Sequence, residues 1–326
     1  MNRLISIQCL RFAAASAVVL THCASGKFLF GAFGVDIFFV ISGFIITKVM
    51  GRREALPFLK DRFSRIYPIY WVCLIPLVVV DWDGDVLRLL TSVTLWPVFG
   101  EFRRSYLAVG WTLHFEMLFY LGATLVLWRR AMLPLVLLAY ATALVGGLMT
   151  GQPVLGFVGS PMILEFLMGV GIALLPSTQL RGSGVVVVLL GAVAAIWGSN
   201  ADFGIIQNAF NGVTAWRWAV WGIPAAIIVW GAMQFEGTLK GPLFKFGAAG
   251  GDASYALYLS HPVFLLLAPT NPYILLALGP PVLIALGFAV HYWIEKPLLH
   301  MVRRVLARDR SPKRLAQAEA AASVDP

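Results

Sequence analysis

The chain has 326 residues, of which 59% are hydrophobic and only 13% charged, and its mean hydropathy is +0.81. That balance excludes an ordinary water-soluble domain and makes a lipid bilayer the expected solvent. The formal net charge of +9 would suit a nucleic-acid partner, but the basic residues fall between apolar runs as a topology signal does, so no nucleic acid is expected.

A spanning helix needs about 20 mostly apolar residues, and about ten such stretches are present. In chain order they are Ser6 to Ala24, Gly34 to Met50, Ile66 to Val80, Thr112 to Trp128, Met132 to Met149, Pro161 to Leu175, Gly184 to Ser199, Ala215 to Gln234, Ala253 to Ala268 and Tyr273 to Ile294. The expected fold is all-α, a polytopic transmembrane helical bundle. The first run has the outline of a secretory signal, yet Gln8 and Arg11 interrupt its start and a second run follows almost at once, so it is read as the first helix.

If that helix leaves the cytoplasm, the inner loops collect Arg52, Arg53, Lys60, Arg62, Arg65, Arg129, Arg130, Lys240 and Lys245. The outer loops hold Lys27, Arg88, Arg103, Arg104 and Arg217 beside Asp81, Asp83, Asp85 and Asp202. The positive-inside rule then predicts an even number of crossings with both termini cytoplasmic. Asp81 to Gly110 is the longest outer loop, with Trp82, Trp96 and Trp111 as interfacial anchors and a short helix from Val86 to Leu95. Residues 1–306 are read as one membrane domain and 307–326 as a polar cytoplasmic tail, disordered by composition. Cys9, Cys23 and Cys73 lie in or beside apolar segments without metal-ligand spacing, so no metal is expected.

Ionisable groups inside membrane segments are costly to keep and mark candidate sites. Arg11 and His22 are separated by eleven positions, roughly three helical turns plus 20°, so they share a face about 16 Å apart along the axis. Either they line one passage, or Arg11 snorkels to inner headgroups and His22 is an interfacial polar residue. Asp36, in Gly34-Val35-Asp36-Ile37-Phe38-Phe39-Val40-Ile41-Ser42-Gly43-Phe44, either caps the second helix or orients His22. Its Ser42-Gly43 notch suits close helix approach. Arg62 and Arg65, at i and i+3, suit a polyphosphate or an anionic lipid surface. Glu116, about a turn inside its helix with His114 nearby, is placed to orient a histidine or bind a substrate hydroxyl. Glu165 is a further acidic position, and Glu295 is expected to pair with Lys296. His261, before Pro262, is a second imidazole candidate.

Taken in this order, the strings resemble the acyltransferase-3 family of bacterial membrane acyltransferases over most of the chain. The specific parts are Arg11 to His22, the Gly34 to Phe44 segment, Arg62-Phe63-Ser64-Arg65, and Trp111-Thr112-Leu113 leading to Glu116. Weaker parts are Leu164-Glu165-Phe166 with Gly169, Tyr255 to His261, and Glu295-Lys296-Pro297. The start, Ile7-Gln8-Cys9-Leu10-Arg11 through His22, looks closest to the branch of exopolysaccharide-production acetyltransferases acting on succinoglycan-type polymers.

The resemblance implies a multi-pass protein of the bacterial inner membrane that moves an acyl group, most often acetyl, from cytoplasmic acyl-CoA to a saccharide hydroxyl. No permanently bound cofactor is implied, and the partners expected are the bilayer, acyl-CoA, a saccharide or lipid-linked saccharide, and polysaccharide biosynthesis machinery. Catalysis would fall to His22 with Asp36 or Glu116, and donor binding to Arg11, Arg62 and Arg65. Trp111, His261, Tyr255 and Glu165 are candidates for meeting the acceptor or supporting the reacting groups. His22 would act as a general base or become transiently acylated. The competing class is a saccharide or lipid transporter, since intramembrane charge also marks translocation paths.

Overall fold

In hydrocarbon a main chain has no water to bond, so an apolar segment must satisfy its own polar groups, and the α-helix does so within one segment. In the computed structural model, which describes all residues except 1–3, 25–28, 52, 99–102, 176–182, 201–215, 270 and 309–326, every one of the expected apolar stretches contains helix. They are α1 (Ile5–Cys23), α2 (Gly34–Met50), α3 (Ala55–Asp81), α4 (Val86–Thr94), α5 (Trp111–Trp128), α6 (Leu133–Thr150), α7 (Pro153–Val158), α8 (Ile163–Leu174), α9 (Ser183–Asn200), α10 (Ile223–Met233), α11 (Pro242–Leu265), α12 (Pro272–Val290) and α13 (Lys296–Arg308). Among the described residues, 7 helices are long and apolar enough to cross a membrane.

Several boundaries differ from expectation for local reasons. The basic stretch before Ile66 is no loop but the first half of α3, which runs 27 residues and contains Pro68 and Pro76. Pro68 forfeits only its own bond to the carbonyl one turn back, and packing retains the helix. α11 begins at Pro242 rather than Ala253, because Gly241 takes φ 104 and a proline at the first helical position gives up nothing. Its small residues explain why hydropathy understates it: this helix faces protein, with Gly251 so close to α1 that an added Cβ would lie 2.2 Å from the Gln8 carbonyl oxygen. α12 ends at Val290 in a π-helical turn, His291–Glu295, that leads into the amphipathic α13, an element not expected from the sequence. Of the expected tail, 309–326 lies outside the described residues.

Two close crossings organise the bundle. At the Ser42-Gly43 notch α2 meets α8: a Cβ on Gly43 would sit 1.9 Å from the Phe166 carbonyl oxygen, and one on Gly169 2.0 Å from that of Val40. α1 and α11 run parallel, Cys9 meeting Phe244 at one end and His22 meeting His261 at the other. Parallel neighbours start on the same face of the bundle.

The stretch between α3 and α5 does not simply cover the surface. α4 folds back along α3, where the Tyr70 hydroxyl donates to the Ser92 carbonyl (2.6 Å) and the Trp71 indole to that of Val93 (3.0 Å). Thr91, Ser92, Leu95 and Leu107 are all fully buried. Leu95 ends α4 at φ 56, a left-handed conformation usually left to glycine, held there by complete burial of its side chain. Trp111 is packed inward against Phe39 and Phe115 and is not a surface anchor.

The stretch's hinge is pinned at Asp83, which accepts from Tyr106 (2.5 Å) and Arg88 (2.6 Å), while Arg88 also bridges to Asp81 (3.0 Å). The Tyr106 hydroxyl first, then the Asp85 amide and Arg88, hold the Asp83 carboxyl well below the usual carboxylate range. A depressed carboxylate contributes stability above its unfolded value, near 3.9, and loses it as pH falls through the lower folded value. The segment should therefore resist protease at pH 4, and Tyr106→Phe should shift the onset of cleavage to higher pH. An onset unchanged by that substitution would mean the contact does not hold the hinge.

Candidate functional site

Five helices, α1, α2, α3, α5 and α11, converge on one narrow cavity. Arg11, Arg62, Arg65, Glu116 and Tyr255, five of the residues singled out in the sequence, all line it, together with Ser42, Tyr120 and Tyr258. Arg11 and Arg62 are each only 8% exposed. A regular helix brings Arg62 and Arg65 to one side because they are nearly one turn apart.

Glu116 is held by two hydroxyl donors, Ser42 (3.2 Å) and Tyr120. Tyr120 lies one turn beyond Glu116, a spacing that could have disclosed it, whereas Ser42 read only as a small residue. Asp61 neutralises part of the arginine charge through Arg62 at 2.5 Å, and the Tyr255 hydroxyl donates to the Ile66 carbonyl at 3.1 Å. With three guanidinium groups and one carboxylate in the lining, the cavity carries an excess of cationic hydrogen-bond donors among apolar walls, the chemistry that suits an anion.

His22 is not in that lining. It is exposed at the end of α1, its ring centroid 4.9 Å from that of the fully buried His261. Its Nδ1 lies 2.9 Å from the Val18 carbonyl oxygen. A carbonyl only accepts, so Nδ1 carries the proton and donates, and in the neutral ring the lone pair falls on Nε2. The anchoring partner is thus the main chain one turn back, and neither Asp36 nor Glu116 holds the ring. His261 is arranged alike, with Nδ1 3.2 Å from the Leu257 carbonyl and a buried Nε2 that has no hydrogen-bond partner among the described residues.

Asp36 proves to be neither a helix cap nor a partner of His22. It forms a two-pronged ion pair with Arg217 at 2.9 and 2.8 Å, with Asp36 fully buried and Arg217 3% exposed. Arg217 had read as an outer-loop charge, and nothing in the sequence links positions 181 residues apart. Glu165 is fully buried beside this pair, with Gly222 leaving room for its side chain. The Arg217 guanidinium also lies over Trp111 (5.7 Å) and Trp221 (4.9 Å), so Trp111 belongs to this cluster and does not line the cavity. Glu295 pairs with His291 at 2.5 Å, while Lys296 lies over the Tyr292 ring, so the expected Glu295 to Lys296 pair gives way to one a helical turn back.

A family model described as an acyltransferase domain, of the acyltransferase-3 type, matches residues 4–294. The exopolysaccharide production protein ExoZ of Rhizobium meliloti (strain 1021) is 30% identical over 315 residues, covering 86% of this chain and 94% of the relative. No solved structure gives a significant match.

Proposed function

We propose, because the chain belongs to the acyltransferase-3 family, that it transfers an acyl group, most readily acetyl, from cytoplasmic acyl-CoA to a hydroxyl of an exported or cell-surface saccharide. The observation that carries the reading is the cavity lined by Arg11, Arg62 and Arg65 within a bundle whose first helix presents His22 about 16 Å further along. Support for the saccharide comes from the name of the exopolysaccharide production protein it resembles. Support for a cytoplasmic-membrane protein with both termini inside comes from the loop charges and the parallel course of α1 and α11.

In this mechanism Arg62 and Arg65 hold the phosphates of the donor by charge-assisted hydrogen bonds, and Arg11 guides the pantetheine arm. His22 Nε2 removes the acceptor's proton as the hydroxyl oxygen bonds to the acyl carbon. The carbon–sulfur bond then breaks, and the proton returns to the departing thiolate to give free CoA. The alternative route passes the acyl group through His22 Nε2 itself. Glu116, fixed by Ser42 and Tyr120, orders the arginine-lined wall.

Purified protein in liposomes, given radiolabelled acetyl-CoA and candidate oligosaccharides, should place label on the acceptor. Acceptor movement across the membrane without label would overturn the assignment in favour of a transporter. Arg62→Ala and Arg65→Ala should each raise the acyl-CoA KM on the order of tenfold, the worth of one hydrogen bond to a charged group, with a smaller change in kcat. Unchanged donor dependence would return both arginines to lipid anchoring.

A further inference from the structure

The arginine-lined cavity and the imidazole pair are not one chamber. Along α11, Tyr255 and Tyr258 line the cavity, and His261 follows one turn beyond Tyr258. The Tyr258 ring centroid is 6.1 Å from that of His261 on one side and 6.0 Å from that of Phe38 on the other. Phe38 also lines the cavity, so the two rings form the wall between it and the His22–His261 pair.

Tyr258 is tied down: its hydroxyl donates to the Val109 carbonyl at 3.0 Å and lies 3.1 Å from the Thr112 hydroxyl, where the infolded stretch enters α5. Its helix is loosened at the same point, because Pro262 has no N–H for the Tyr258 carbonyl. An ordinary core tyrosine would meet the same hydrogen bonds. It would not line a cavity on one side and meet an imidazole on the other.

We propose that Tyr258, with Phe38 opposite, is the residue that determines which acyl groups pass from the donor cavity to His22, admitting acetyl and excluding longer chains. The inference rests on the acyl-transfer reading of the same site. The Tyr258 and Phe38 rings stand between a thioester held at the arginines and His22 Nε2, so an acyl group that passes there meets the bulk of the Tyr258 ring, and each added methylene meets more of it. One methylene in such a constriction discriminates by roughly ten- to two-hundredfold.

The test measures kcat/KM for acetyl-, butyryl- and hexanoyl-CoA in liposomes with a fixed saccharide acceptor. Tyr258→Ala should raise the butyryl to acetyl ratio at least about tenfold, and Tyr258→Phe, which keeps the ring, should hold the ratio within about threefold of the parent. If Tyr258→Ala is not recovered folded, Phe38→Ala removes the opposite side of the wall and should shift the ratio in the same direction. A folded opening variant with the parent's chain-length profile overturns the proposal while leaving acyl transfer standing. A Tyr258→Phe variant as permissive as Tyr258→Ala overturns it too. A parent protein that transfers no acyl group from any donor overturns both readings together.

Discussion

His22→Ala should lower acyl incorporation at least about a hundredfold, the low end of what a positioned proton acceptor supplies, while the protein stays folded in its membrane. The two halves of that expectation rest on different observations. The loss of activity follows from an imidazole whose Nδ1 is committed to the Val18 carbonyl, so that the lone pair of the neutral ring falls on Nε2. Preserved folding follows from exposure: His22 is an exposed side chain, and the Val18 carbonyl that it leaves sits inside α1, where it keeps the main-chain bond of the helix. Size-exclusion behaviour in detergent, read beside incorporation of labelled acetyl, checks both at once, and partial rescue by added imidazole would tie the loss to the missing ring. Near-parent incorporation in a folded variant would remove His22 from the reaction. His261→Ala makes a useful contrast, because that ring is fully buried and its deletion opens a hole between α11 and α1.

The second large effect lies away from the cavity. Asp36→Ala and Arg217→Ala should each destabilise the protein by about 3–5 kcal/mol, because each strands an opposite charge inside the bundle. The side chains of this pair are 0% and 4% exposed, so no water can take over from the missing partner. The double variant Asp36→Ala/Arg217→Ala should be more stable than either single one, since it buries no unpaired charge. Thermal unfolding of the detergent-solubilised protein gives the three values needed for the cycle. Single variants that melt with the parent would show that the ion pair contributes nothing to holding α2 against the turn before α10.

Much of the arginine-lined cavity was legible along the chain because its signals are local. Arg62 and Arg65 share a side through helical spacing alone, and Arg11 and His22 share a face of one unbroken helix. The Ser42-Gly43 notch announced a close crossing without naming α8 as its partner. What was not legible is which group answers which. Asp36 read equally as a cap or as the partner of His22, and it is occupied by Arg217 from the far part of the chain. Glu116 read as a group that could orient a histidine, and it is held by Ser42 and Tyr120. Tyr258 drew attention only as part of a string, since its place between the cavity and the imidazole pair depends on Phe38 and on the infolded stretch before α5.

The sequence by itself determined that this chain is a helical membrane protein, where most of its helices run, and that Arg11, His22, Arg62, Arg65 and Glu116 are the ionisable groups that need explaining. Those properties follow from hydropathy over about 20 residues and from the 3.6-residue period, both of which act over short stretches of chain. Only the tertiary structure decided that three arginines from two helices line one cavity with one carboxylate, that His22 stands beside His261 beyond that cavity, and that a buried ion pair absorbs Asp36. Such pairings depend on which helices lie side by side, and buried charges take whichever partner that packing brings within hydrogen-bonding distance.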